Sequence, residues 1–325
     1  MNDGAKLFIR RWPGSSLKTT RLKGIVHIVH GMGEHSLRYE RLAQKLCAEG
    51  FEVWAADQRG HGYTADLKIN DPGKGGLLGH CHDEDGFLRV TQDIYEINCH
   101  IREKNPDIPL FLFGHSWGSF ITQNYIEAYT GLSSSVKEPV KLAGCILSGT
   151  QGPAGNIRKA GSYLMSFVSF FIGKRKPSGI TRILVDKPYN KPFKPSKTAF
   201  DWLSRDSAEV NAYVNDPLCG THCSIGFYKD MLKGLIHIHR DESFQSIPKD
   251  LPIYVFSGSA DPVGEMGKST TTLVDIYGKK GILDLEYILY PDARHELLNE
   301  TNREEVMVNL LSWLIKQTDK KEFRR

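Results

Sequence analysis

Gly114-His115-Ser116-Trp117-Gly118 follows the apolar run from Leu110 to Phe113 and precedes a helical pattern. A serine between two glycines at a strand-to-helix junction predicts a sharp turn that lifts its hydroxyl clear of the backbone, the posture of a nucleophile. A serine hydroxyl is weak at neutral pH unless a base takes its proton and an acid orients that base. In this turn geometry acid and base come later in the chain, each past the end of a further strand. Asp261, just past the run from Ile253 to Phe256, and His295, just past the run from Leu285 to Leu289, occupy those places. Asp292 is the rival acid, but it shares a loop with His295 and is poorly placed to face the far ring nitrogen. Of the 12 histidines, His27 reads as a strand residue and His237 and His239 as parts of an apolar stretch. Only His295 combines chain order with a strand-end position. Taken singly, each motif also reads as a tight structural turn.

Attack on a carbonyl also needs donors for the developing oxyanion. The amide of Trp117 stands at a helix start, where backbone N–H groups have no partner of their own. His30-Gly31-Met32-Gly33 follows the strand candidate Gly24 to Val29, and its glycines let the Met32 amide approach the reacting carbonyl as the second donor. Each such donor is worth about 3 kcal/mol in the transition state. The expected chemistry is acyl transfer with Ser116, Asp261 and His295 as catalytic residues and Met32 and Trp117 as the oxyanion hole.

The elements that must hold these residues alternate. Strand runs at 24–29, 51–56, 110–113, 142–147, 253–256 and 285–289 are separated by helical stripes, such as Tyr39, Leu42, Ala43, Leu46 and Cys47, or Phe87, Val90, Ile94, Ile97 and Ile101. Strands separated by helices imply right-handed crossovers and a mostly parallel sheet covered by helices on both faces. Thr301-x-x-Glu304 predicts a capping box opening the last helix. The alternation fails between about 150 and 247. Residues 1–150 and 248–325 are therefore expected to form one α/β domain, interrupted by a cap at 151–247.

With 325 residues, 40% hydrophobic and 25% charged, the chain is large enough for a substantial core. Its net charge is +4. Collagen, disordered tails and disulfide-dense mini-proteins are excluded. No run approaches the roughly 20 apolar residues of a spanning helix. The first six residues lack the apolar region of a secretion signal, so a cytoplasmic protein with buried thiols is expected. Positive charge is concentrated: residues 151–200 hold ten Lys and Arg against one acid, Asp186. Just before the main basic cluster lies Tyr163 to Ile172, lipophilic nearly all round. Packing on the core is the first reading of that run, and contact with the inner face of an anionic membrane the second. Nucleic acid is a poor partner, because no aromatics interleave the basic residues.

Three blocks, His30-Gly31-Met32-Gly33-Glu34-His35-Ser36 with Arg38-Tyr39, Asp57-Gln58-Arg59-Gly60-His61-Gly62, and Gly114 to Gly118, make the chain resemble the monoacylglycerol lipase and lysophospholipase family of α/β-hydrolases. Gly258-Ser259-Ala260-Asp261 and Arg294-His295-Glu296 fit the same family's acid and base blocks, so the likeness spans both sides of the cap. It implies an α/β-hydrolase fold and a serine esterase of monoacylated glycerolipids, with a lipophilic cap and no cofactor. The triad and oxyanion residues carry over as named above, and Asp57 to Gly62 becomes a structural loop beside the site. Trp117 replaces a usual methionine and Ser119 a usual glycine, which implies a reshaped acyl pocket. Peptidases, thioesterases and catalytically silent binding proteins share the fold. His80-Cys81-His82-Asp83 and Cys219-x2-His222-Cys223 lack the paired spacing of a structural zinc site and read as loop residues, so no metal is expected. No oligomeric state is read from the sequence.

Overall fold

The computed structural model describes residues 1–14, 22–65, 76–130, 139–154, 157–177 and 187–320. Its strands are β1 (Ile9–Trp12), β2 (Gly24–Val29), β3 (Phe51–Ala56), β4 (Leu110–His115), β5 (Gly144–Ser148), β6 (Ile253–Gly258) and β7 (Leu285–Tyr290). They form one seven-stranded sheet in the order β1-β3-β2-β4-β5-β6-β7. All neighbours are parallel except β1, which pairs antiparallel with β3 at the edge. The inner strands are buried on both faces, which is why they read as continuous apolar runs.

Alternate strand residues supply two cores. On one face Ile25, Val29, Leu110, Leu112, Cys145, Leu147, Ile253 and Val255 join side chains of helices α2 (Gly86–Lys104) and α3 (Trp117–Ala128). On the other, Val26, Ile28, Phe111, Phe113, Ile146, Tyr254 and Phe256 meet α1 (Glu40–Ala48) and the last helix, Arg303–Thr318. The period of two in a strand assigns each residue to its face. Because the strands run parallel, the residues following β4, β6 and β7 emerge along one edge of the sheet.

Between β5 and β6 lie helices α4 (Ile157–Ile172), α5 (Lys187–Asn190), α6 (Ser207–Asn215), α7 (Ile225–Ile238) and α8 (Asp241–Ser246), with one isolated bridge between Pro177 and Ser224. Helix α7 buries Phe227, Tyr228, Met231, Leu235 and Ile238 in the same cluster as α2 and α3. It packs on α2, α3 and α4, within the stretch 151–247. After β6 come α9 (Lys268–Lys279) and α10, the last helix (Arg303–Thr318).

The capping box at Thr301 is not formed. Asn302 precedes α10 without a side-chain cap, and the Thr301 amide and hydroxyl both turn back to Glu300 Oε2. The expected first reading of Tyr163 to Ile172 is also only half met. Met165 and Ser169 are buried along α7, but Tyr163, Leu164, Phe167, Phe170, Phe171 and Ile172 are exposed, Phe170 at 84%. Among the described residues no helix is long and apolar enough to cross a membrane. Arg182 and Asp186 of the basic island, and the side chains of Arg158, Lys159 and Lys187, lie outside the described residues.

Candidate active site

The turn at Ser116 is built by crowding. A side chain at Gly118 would run into the carbonyl oxygens of Val29 and His30, and one at Gly114 into the carbonyl of Gly118 and Thr122 Oγ1. Only glycine lets α3 start this close to β2 and β4. Ser116 pays for the turn with φ +52° and ψ −122°, a conformation that costs on the order of 1–3 kcal/mol and clusters at functional sites. Its amide donates to Ser148 O at 2.9 Å. Ser119 Oγ lies 2.6 Å from Ser116 O and 2.8 Å from Thr150 Oγ1, so the hydroxyl standing where a glycine is usual braces the turn from below.

His295 and Asp261 meet as the chain order requires. His295 Nδ1 lies 3.0 Å from both Asp261 carboxylate oxygens, and both side chains are almost fully buried. Asp261 Oδ1 also accepts the Val263 amide at 2.9 Å, which fixes the carboxylate. Burial pushes the His295 pKa down, but the Asp261 charge and hydrogen bond, with Glu296 and Glu34 beyond, carry it above the usual imidazole value. Asp292, the rival acid, is exposed, and its amide is tied to Ser259 Oγ at 2.8 Å. His115, with its ring centroid 4.8 Å from that of His295, is pushed down to about 4 by burial and by His295, and so is neutral at physiological pH.

Ser116 and His295 open into one cavity of about 770 Å³, lined also by Met32, His115, Phe200, Trp202, Leu203, Tyr213 and Tyr228. Met32 sits in the turn after β2, and Trp117 is the first residue of α3, where an amide hydrogen has no intrahelical acceptor. The Trp117 side chain does not reach the cavity. It is buried against Phe87 and Phe227, and its Nε1 donates to Gln58 Oε1 at 2.8 Å. The expected reshaping of the acyl pocket by Trp117 is thus corrected: the bulk of the indole is absorbed by the core. The loop Asp57 to Gly62 braces the site. Gln58 bonds His30 through its amide and side chain, and Asp57 accepts the amides of Ser36 and Tyr63.

Two features were not read from the sequence. Arg38 grips Glu296, the neighbour of His295, through both terminal nitrogens at 2.5 and 2.8 Å, and reaches Glu34 at 2.9 Å. Glu34 in turn accepts the Gly31 amide at 2.5 Å and the Tyr39 hydroxyl at 2.8 Å. Burial opposes the ionised form of Glu34, but Arg38 and two histidines hold its carboxyl below the usual range. This strap ties the Met32 turn to the His295 loop; its one local signal was the i, i+4 spacing of Glu34 and Arg38. The other feature is Trp202, whose ring lies 5.0 Å from that of His295, while its carbonyl accepts the His295 amide at 3.4 Å and Leu203 O the Glu296 amide at 2.8 Å. Nothing in the sequence near Trp202 points to His295.

Of the metal-like clusters, His80 is engaged with Ser224 and Asp83, and Cys81 with Arg59 O. Cys219 meets His35 and Asp216 rather than His222, their ligand atoms within 4.8 Å. The His35–Asp216 hydrogen bond at 2.8 Å and the Leu218 amide on Asp216 Oδ1 already account for that grouping.

Residues 20–302 match the family described as serine aminopeptidase, S33. The chain is 27% identical over 293 residues to a monoacylglycerol lipase of Mycolicibacterium smegmatis, covering 90% of this chain and 88% of that one. It is 26% identical over 317 residues to an uncharacterized abhydrolase domain-containing protein of Dictyostelium discoideum; that match covers 96% of this chain but only 28% of the longer protein. Among solved structures, a highly thermostable carboxyl esterase from Bacillus coagulans in complex with glycerol aligns with a TM-score of 0.81 at 27% identity, covering 95% of this chain and 94% of that one.

Proposed function

The chain belongs to the serine aminopeptidase, S33 family of α/β-hydrolases, and from that premise we propose that it hydrolyses the carboxylic ester of a monoacylated lipid, a monoacylglycerol or lysophospholipid. The observation that carries this reading is the Asp261–His295 pair opening, with Ser116 in its left-handed turn, into one largely apolar cavity. Similarity to a monoacylglycerol lipase and to a carboxyl esterase supports it.

In the proposed cycle Ser116 Oγ bonds to the ester carbon as its proton passes to His295 Nε2, with Asp261 holding the imidazole by Nδ1. The amides of Met32 and Trp117 receive the oxyanion. Collapse breaks the bond to the alkoxide, which leaves with the proton from His295. Water, activated by the same imidazole, then releases the fatty acid. The cap is the insertion at 151–247, whose α4 packs along α7. The exposed aromatics of α4 form the surface by which the protein rests on the inner face of a membrane without crossing it.

An aminopeptidase reading needs a carboxylate free to bind the substrate's amino terminus. Among the described residues the carboxylates lining the cavity are Glu34 and Glu296, and both are held by Arg38. The test is a fluorophosphonate label on the wild type, Ser116→Ala and His295→Ala, followed by a panel of monoacylglycerols, lysophospholipids, short p-nitrophenyl esters and aminoacyl arylamides. Labelling lost in Ser116→Ala with fastest turnover of the lipid esters is expected. Absence of labelling in folded wild type would favour a silent binding protein, and fastest turnover of arylamides a peptidase.

A further inference from the structure

Residues that line the cavity and are also exposed mark its rim: Pro188, Lys191, Lys194, Ser196, Ala199 and His222. Two of these carry a permanent positive charge and none is acidic. The stretch from Lys187 to Phe200 contains four lysines and no Asp or Glu. The next acid, Asp201, is spent on its own turn, accepting the Lys197 amide at 2.6 Å and the Thr198 amide at 3.0 Å. Deeper in the cavity, Glu34 and Glu296 are both committed to Arg38. No carboxylate in the described lining is left to neutralise the rim.

The depth of the cavity has the opposite character. Trp202, Leu203, Tyr213 and Tyr228 present buried or half-buried apolar surface beside Ser116. An acyl chain gains about 0.8 kcal/mol per CH₂ by leaving water for such surroundings, whereas a charged headgroup is penalised. A headgroup bearing a phosphoryl charge therefore stays at the rim, where Lys191 and Lys194 stand. We propose that the enzyme is selective for monoacylated lipids with an anionic, phosphate-bearing headgroup, and that Lys191 and Lys194 are its specificity-determining residues. This rests on the lipid-ester reading above and narrows it.

The experiment compares kcat/KM for three substrates sharing an oleoyl chain: oleoylglycerol, zwitterionic oleoyl-glycerophosphocholine and anionic oleoyl-glycerophosphate. Each is presented at the same low mole fraction in neutral detergent micelles. Exposed ion pairs are individually weak, so two of them give a preference of about tenfold for the anionic substrate, fading as salt screens the charges. The Lys191→Glu/Lys194→Glu variant is expected to lose that preference, its kcat/KM on oleoyl-glycerophosphate falling about tenfold relative to that on oleoylglycerol. Lys176→Glu, a single charge reversal on the cap away from the cavity lining, is expected to keep the preference. Equal rates on the three lipids, or an equal loss in Lys176→Glu, would overturn the proposal while leaving the lipid-ester reading standing. Turnover of p-nitrophenyl butyrate with no lipid hydrolysed would remove both.

Discussion

Two forces compete at the His295 imidazole: burial favours the neutral ring, and Asp261 with its neighbouring carboxylates favours the charged one. The carboxylates win, and the consequence has a sign. A general base works only when neutral, so a raised pKa moves the acid limb of kcat/KM above 6.5, and activity is lost as pH falls through that value. Removing the charge in Asp261→Asn lets burial dominate, so the limb moves to lower pH while kcat falls by about 10⁴ through the wrong tautomer. A pH–rate profile on a soluble p-nitrophenyl ester checks both parts; a variant limb unmoved from the wild type would contradict the assignment. His115, held near 4, stays neutral throughout and does not add a limb. The strand-end positions of Ser116, Asp261 and His295 were legible in the sequence because each follows a strand and the serine carries its glycines with it; their catalytic roles are the proposal made above. Arg38 and Trp202 were not, because their partners lie 258 residues away for Glu296 and on the far side of the cap segment for His295.

Among the elements, the buried strands declared themselves by continuous apolar runs, and β1 did not. Ile9-Arg10-Arg11-Trp12 has two central arginines, the kind of charge an edge strand carries to discourage further pairing, and Arg11 finds its partner only across the ladder, at Glu52. The missing capping box at Thr301 has a similar cause: Glu300, which no spacing rule ranks, captures the threonine first. The Arg38 strap is the element-scale device with the largest predicted effect. Arg38→Met leaves Glu34 and Glu296 buried without their cation, which should cost about 3 kcal/mol in a urea titration. The same loss leaves more uncompensated negative charge near His295, so its acid limb should rise further in the folded variant. A merely destabilised protein would keep the wild-type limb. Helix α4 is predicted to behave in the opposite way. Phe170→Ser with Phe171→Ser touches exposed side chains, so stability should change by no more than about 0.5 kcal/mol, while co-sedimentation with anionic vesicles should fall severalfold. Vesicle binding equal to wild type would rule out α4 as the contact.

At the scale of the whole molecule the two cores on either side of the sheet enclose polar groups as well as apolar ones, and this sets how the fold responds to acid. His27, His61 and His115 are each fully buried and pushed down to about 4, His27 by burial against a single hydrogen bond to Asn98 at 2.7 Å. In the unfolded chain the same rings titrate near 6.5. Between those values the unfolded state binds protons that the folded state refuses, so stability falls as pH drops from 6.5 to 4 and levels off below. Each ring contributes on the order of 3 kcal/mol to that loss, a large fraction of a typical domain's stability. The carboxylates held low, Asp3 and Asp83 near 2, act in a different window, losing their contribution only as pH falls from about 4 toward 2. Urea midpoints taken at intervals from pH 7 to pH 4 should therefore slope steadily downward before any of those carboxylates is protonated. His27→Gln, which cannot titrate, should be less stable at pH 7 but show a shallower slope. A midpoint flat from pH 7 to pH 5 would mean that these imidazoles are charged inside the fold, contrary to the burial that both cores impose on them.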